Sequence, residues 1–166
     1  VPVHSEVQEG KVLTWRWIID APPIPLFAKY GHFKGNVDRW HYYHYHAPSI
    51  AIIDFGTADT GTGAPEGRRD NCMQIYACHF ITPVDQNRCI DHWLHVKNFQ
   101  ASPEVNAALS ADFRTAFAED KAILEAIHAN EQRMPERRTI KIAIDISPRR
   151  MRRMVDDLVG SEAGAA

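Results

Sequence analysis

Ser102-Pro103-Glu104-Val105 opens the stretch on which the fold of this chain turns, because the hydrophobic spacing changes there from strand-like to helical. Ser102 suits an N-cap, and Pro103 suits the first helical position, where its missing N–H costs nothing. Glu104 adds an acid to the first turn, where the helix dipole favours it. The spacing predicts one long helix over residues 102–132. Phe113, Phe117, Leu124 and Ile127 fall on one stripe of it, with Ala116 and Ile123 alongside. Steps of four and three place Asp120 between Phe117 and Leu124 on that same stripe.

Upstream of Ser102 the pattern alternates. Over residues 12–20, Leu13, Trp15, Trp17 and Ile19 fall on one face of a predicted strand, with Thr14 and Arg16 on the other. Ala21-Pro22-Pro23-Ile24-Pro25 cannot continue a central strand, since each proline removes a ladder donor. Leu26 to Tyr30 reads as a helical turn ending at Gly31. Strands resume over 38–46 and 50–58, and Thr60-Gly61-Thr62-Gly63-Ala64-Pro65-Glu66-Gly67 is a loop by composition. A second hairpin is expected from 71–81 and 88–99, turning at Thr82-Pro83-Val84-Asp85-Gln86-Asn87. Downstream of the long helix, 137–146 reads as a short strand or extended tail. Ser147-Pro148 starts a final helix that fades into residues 160–166. Several antiparallel strands followed by one long helix indicate an α+β domain, a curved antiparallel sheet gripping that helix.

Composition narrows the classes of function. The chain has 166 residues, enough for one domain with a sizeable core, and its 45% hydrophobic and 24% charged residues are those of an ordinary soluble protein. A formal charge of −2 supplies no basic field for nucleic acid or an anionic membrane. The basic cluster Arg149, Arg150, Arg152 and Arg153 lies near Asp156 and Asp157 and reads as a solvated helix face. No apolar run approaches the roughly 18–20 residues that span a bilayer. Val1-Pro2-Val3-His4 carries neither an initiator Met nor a signal-peptide pattern, so the chain reads as one entered partway through. Cys72, Cys78 and Cys89 show no C-x-x-C spacing, which argues for reduced thiols and a cytoplasmic location.

Two groups of residues invite a metal. A core-facing carboxylate at Asp120 would cost several kcal/mol unless a cation or donors met it. A metal ion is one answer. An ion pair with Lys121 or Lys97, or an outward turn at the stripe edge, is the blander one, and spacing alone favours it. In His41-Tyr42-Tyr43-His44-Tyr45-His46, His44 and His46 share a strand face while His41 lies opposite. Two imidazoles so placed can bind zinc or copper, but a third ligand has no obvious source. The alternatives are a wet strand face or polar residues lining a cavity.

The segment Phe117-Ala118-Glu119-Asp120-Lys121-Ala122-Ile123-Leu124-Glu125-Ala126-Ile127 resembles the E-D-K helix of Rieske non-haem iron oxygenases of the vanillate demethylase and dicamba demethylase type. Further matches follow in the family's order. They are Trp15-Arg16-Trp17, the H-x-x-T-P-like His79-Phe80-Ile81-Thr82-Pro83, and His92-Trp93-Leu94-His95-Val96-Lys97-Asn98-Phe99, similar to a segment ending in R-N-F. Together they cover residues 11–130. The resemblance implies a helix-grip fold of the lipid-transfer type, with residues 1–166 forming the C-terminal part of the oxygenase catalytic domain. It implies that Asp120 is the carboxylate of a two-histidine, one-carboxylate site for mononuclear Fe(II). It also implies substrate contacts for His79, which aligns with a histidine that hydrogen-bonds substrate, and for Asp54, near an Asn that contacts a substrate carboxylate. An acid at Asp54 would repel an anion, so no anionic group is expected at that point of the substrate.

Two departures from the family pattern stand out. The C-x-H and C-x-x-H cluster motif is absent, so the [2Fe–2S] Rieske centre is expected in an upstream domain. The histidine pair that completes the iron site is expected upstream as well, leaving this chain one ligand of three and inactive alone. The implied function is a Rieske-type aromatic monooxygenase, an O-demethylase or a ring or methyl hydroxylase, using O2 on a substituted aromatic substrate. Electrons would come from a reductase and cross between subunits of a homotrimer. The competing expectations are a metal-free helix-grip carrier of a hydrophobic ligand and a small metalloprotein built on His44 and His46.

Overall fold

The computed structural model describes residues 1–134, 136, 140, 142 and 145–163. Six strands form one antiparallel sheet in chain order: β1 (His4–Gln8), β2 (Lys11–Ala21), β3 (Val37–His46), β4 (Ile50–Asp59), β5 (Met73–Asp85) and β6 (Arg88–Lys97). A short helix, α1 (Pro25–Tyr30), fills the β2–β3 connection, and two longer helices follow, α2 (Pro103–Arg133) and α3 (Ile146–Ala163). The α+β class expected from the change of period is the class observed. The strand or tail expected over 137–146 falls mainly outside the described residues.

The chain divides into two compact units, Val1–Phe99 with Ile142–Ala166, and Gln100–Lys141. In the first, strands β2 to β6 arise where β-branched and aromatic residues alternate, and the turns arise where glycine or proline interrupts them. Directly opposite residues of neighbouring strands share a face, so the register sorts the side chains into two sets. Trp17, Trp40, Tyr42, Asp54, Gln74 and Tyr76 lie on one face. Arg16, His41, Phe55, Thr57, Ile75 and His79 lie on the other. On this Phe55 face, Phe27 of α1 packs with ring centroids 5.8 Å from Phe55. Ser147 of α3 hydrogen-bonds Thr14 and donates to Ser5. Val12, Phe27, Phe55, Ile75 and Ala77 are buried there. On the Trp40 face, Gly56 sits opposite Trp40, where a Cβ would lie 2.2 Å from the indole ring. A side chain at that position is sterically excluded.

The second unit is the helix α2. Ser102 caps it as expected, accepting from the Val105 amide at 3.3 Å, and Pro103 begins it. Leu109 is buried, and Phe113 and Phe117 are half-buried. From Ala118 onward every residue of the helix is exposed, including Leu124 at 64%.

Three local expectations are revised. β1 was not expected, because His4-Ser5-Glu6-Val7-Gln8 has little apolar pattern; it is held by its pairing with β2. β5 continues through Thr82-Pro83-Val84-Asp85, expected as turn. Beyond Phe80 and Ile81 no β4 residue pairs with β5, so Pro83 lacks a ladder position to vacate on that side. Of the four clustered arginines, Arg149, Arg152 and Arg153 are exposed as expected, but Arg150 is half-buried.

Candidate functional site

Asp54 and His79, expected together as substrate contacts, lie on opposite faces of the sheet. Asp54 pairs with Tyr76, and His79 is three residues further along β5 in an unbroken register. A single cavity against one face cannot take both side chains. Asp54 is also fully engaged. Its Oδ1 accepts from Trp40 Nε1 at 2.9 Å and from Gln74 Nε2 at 2.7 Å, and its Oδ2 lies 3.7 Å from Arg69 Nη1. The Arg69 guanidinium sits over the rings of Trp17, Trp40 and Tyr42, 5.3, 4.7 and 5.3 Å from their centroids. A buried carboxylate with these partners anchors the sheet. The inference that Asp54 repels an anionic substrate therefore loses its basis.

His79 stands on the Phe55 face near the β5–β6 end. Its Nδ1 lies 2.8 Å from Asp91 Oδ2 on β6, and its side chain is 14% exposed. With Asp91 ionised, Nδ1 carries the proton and the ring is fixed in one orientation. Asp91 escaped the sequence reading, because only the hairpin register brings position 91 beside position 79. Trp93 is directly opposite His79, and its ring is 5.2 Å from that of His95. Burial and the neighbouring His79 push the His95 pKa down to about 4.

Further along the same face, Arg16 is directly opposite His41, and Arg39 directly opposite Thr57. His41 stacks against Phe55 and Tyr43, with centroids 6.3 and 6.1 Å apart. Burial, and then the charges of Arg16 and Arg39, lower its pKa to about 4.

His44 and His46 lie on the Trp40 face, with Lys11 opposite His46. Burial and then the Lys11 charge lower the His44 pKa, which keeps its imidazole neutral. Among the described residues no group of three or more His, Cys, Asp or Glu is arranged to hold a metal ion.

Asp120 sits on α2 with its side chain exposed, the outward position that spacing alone favours. In this chain the carboxylate is solvated at little cost. The ion pairs weighed against a metal are also not formed. Lys121 Nζ lies 3.6 Å from Glu125, and Lys97 Nζ donates to the Phe99 carbonyl at 2.6 Å. Asp120 has no hydrogen-bond or ion-pair partner among the described residues. A carboxylate with both oxygens open is the right donor type for one position of an iron facial triad.

The model of the vanillate O-demethylase oxygenase C-terminal domain matches residues 2–161. The chain belongs to this family. It is 30% identical over 157 residues to the toluene-4-sulfonate monooxygenase system iron-sulfur subunit TsaM1 of Comamonas testosteroni, covering 93% of this chain and 45% of that one. It is also 30% identical to a vanillate O-demethylase oxygenase subunit of Pseudomonas sp. (strain ATCC 19151), covering 99% of this chain and 52% of that one. The chain thus spans about half the length of these curated relatives. Among solved structures, apo dicamba monooxygenase shares the fold with a TM-score of 0.84 at 20% identity, over 99% of this chain and 51% of that one. Dicamba monooxygenase with non-heme iron and dicamba gives a TM-score of 0.79 at 20% identity, over 99% of this chain and 50% of that one. That likeness is consistent with the helix-grip class. No helix among the described residues is long and apolar enough to cross a membrane.

Proposed function

We propose that this vanillate O-demethylase oxygenase C-terminal domain is the C-terminal part of the catalytic domain of a Rieske-type aromatic monooxygenase. The reaction assigned is O-demethylation, or hydroxylation of a methyl group or ring, on a substituted aromatic substrate with O2. The observation that carries this reading is the family match across residues 2–161. The carboxylate of Asp120, without a partner among the described residues, on a family-like E-D-K segment supports it.

In this reading Asp120 is the anionic ligand of a mononuclear Fe(II), fixing its geometry and offsetting its charge. The iron, when bound, supplies the activation of dioxygen. The two histidine ligands and the [2Fe–2S] cluster belong to the remainder of the protein. His79, oriented by Asp91, donates or accepts one hydrogen bond to a polar substituent of the substrate. Half-buried ring side chains of the Phe55 face exclude water around the aromatic ring. Asp54 keeps a scaffold role and is withdrawn as a substrate contact. A reductase delivers electrons to a cytoplasmic homotrimer.

Purification of the complete protein, with metal analysis and a turnover assay, tests the proposal. The expected result is iron, the absorbance of a [2Fe–2S] cluster, and reductase- and O2-dependent conversion of a methoxy- or methyl-substituted arene. A metal-free protein that binds such arenes without converting them would instead be a carrier, and zinc or copper alone would point to His44 and His46.

A further inference from the structure

Asp91 and His79 meet through strand register alone. Asp91 pairs with Ile81 and Trp93 with His79, so Asp91 stands on the same sheet face, one diagonal step from the imidazole. That diagonal brings Oδ2 of Asp91 to 2.8 Å from Nδ1 of His79. Arg88, the first residue of β6, is turned to Asp85 at 2.7 Å. His79 is therefore the one hydrogen-bond or ion-pair partner of Asp91 among the described residues. The strand neighbours of His79 on this face, Ala51 on β4 and Trp93 on β6, carry no side-chain acceptor.

The chemistry of the pair runs one way. An ionised carboxylate only accepts, so the proton between the two belongs to Nδ1. The Asp91 side chain is 41% exposed, which leaves its other oxygen in water, whereas that of His79 is 14% exposed. The exposed partner thus governs the ring of the covered one. The two nitrogens sit on opposite edges of an imidazole, and pinning Nδ1 to Asp91 turns Nε2 away from it. In the neutral ring that second nitrogen carries a lone pair and accepts. His95, opposite Ala77, has its pKa pushed down to about 4 by burial and by His79, so it offers an anion no charge at neutral pH. The Asp91 carboxylate itself opposes an oxyanion placed at Nε2.

We propose that Asp91 is a positioning residue, holding His79 as the Nδ1–H tautomer so that Nε2 accepts a hydrogen bond from an O–H or N–H substituent of the arene. The inference rests on the reading of His79 as a substrate contact and adds to it the direction of the hydrogen bond. A donor on the substrate is selected at this point, and a methyl ether or an oxyanion is disfavoured. Asp91→Asn removes that selection. Its side-chain amide can accept from Nδ1–H or donate to a bare Nδ1, and the second arrangement makes Nε2 a donor. Asp91→Glu keeps a group that only accepts.

Calorimetric titration of the complete protein at neutral pH with ortho-methoxyphenol, its methyl ether and ortho-methoxybenzoate tests it. The parent should bind the phenol more tightly than the ether. Asp91→Asn should move the ratio of phenol to benzoate affinity toward the benzoate by roughly tenfold. A residue that merely supported the fold would weaken all three ligands alike. Asp91→Glu should keep the parent's order of affinities, and His79→Ala should abolish the preference for phenol over ether. The proposal is overturned if the parent fails to bind the phenol or to prefer it to the ether. It is equally overturned if Asp91→Asn leaves the ratio unchanged or weakens the three ligands alike. A preference that survives His79→Ala defeats the reading of His79 as a substrate contact, and the proposal with it. A preference lost there but kept in Asp91→Asn leaves that reading standing and removes Asp91 alone.

Discussion

The middle of β4 and the C-terminal half of α2 each present one carboxylate, and their surroundings treat it in opposite ways. Asp54 is buried, and its oxygens meet an indole, an amide and a guanidinium. Asp120 is exposed beside Ile123, Leu124 and Ile127, which are also exposed, and has no partner among the described residues. The contrast separates a carboxylate that holds the scaffold from one available to a ligand. Location on an apolar stripe does not distinguish the two. The partner set does.

The contrast breaks most readily at Asp54. Asp54→Ala removes the acceptor of Trp40 and Gln74 and leaves Arg69 without a counter-charge. A loss of about 2–4 kcal/mol is expected, less than for a wholly buried pair because Arg69 is partly exposed. Urea unfolding of the chain measures it, and an unchanged midpoint would remove Asp54 from the scaffold. Arg69→Met keeps apolar cover on the three rings but loses the charge. It should cost less, about 1–2 kcal/mol, since Asp54 retains the donors of Trp40 and Gln74.

A pH series sharpens the picture from the cationic side. His41 and His95 have folded-state pKa values pushed down to about 4, below the ordinary value of 6.5. Between these values the unfolded chain binds more protons, so stability rises with pH from about 4 to about 6.5 and is level above. It is lost as pH falls toward 4. Unfolding free energies at pH 7 and pH 5 should show the drop, and His41→Asn should remove about half of it, His95 keeping the rest. A slope unchanged in that variant would place the titration elsewhere.

The smallest effect on stability is expected at Asp120. Asp120→Ala deletes an exposed group with no partner among the described residues, and the chain's unfolding free energy should move by no more than about 0.5 kcal/mol. A larger loss would mean that Asp120 is held by the fold, and the contrast with Asp54 would fail.

How far these features were legible in the sequence depends on how local their causes are. Ser102 and Pro103 fix the start of α2 through cap chemistry within one turn, and the structure begins the helix there. The alternation around Trp15 and Trp17 likewise gives β2 to within a residue or two. β1 was invisible, because the strand depends on its neighbour and not on its own apolar pattern. Asp54 and His79 were both named as substrate contacts through the family resemblance, and the faces they take follow from the β4–β5 register, which sequence spacing does not supply. Asp91 beside His79 and Arg16 opposite His41 depend on cross-strand pairing in the same way. Spacing places Asp120 on the Phe117–Leu124 stripe, but its exposure depends on what covers that stripe.

Iron content of the complete protein carrying Asp120→Ala is the most direct test of the central assignment. The [2Fe–2S] absorbance serves as an internal control for folding. The expected result is an intact cluster spectrum, loss of mononuclear iron, and no conversion of substrate. Retention of mononuclear iron and turnover in that variant would contradict the assignment of Asp120 as an iron ligand.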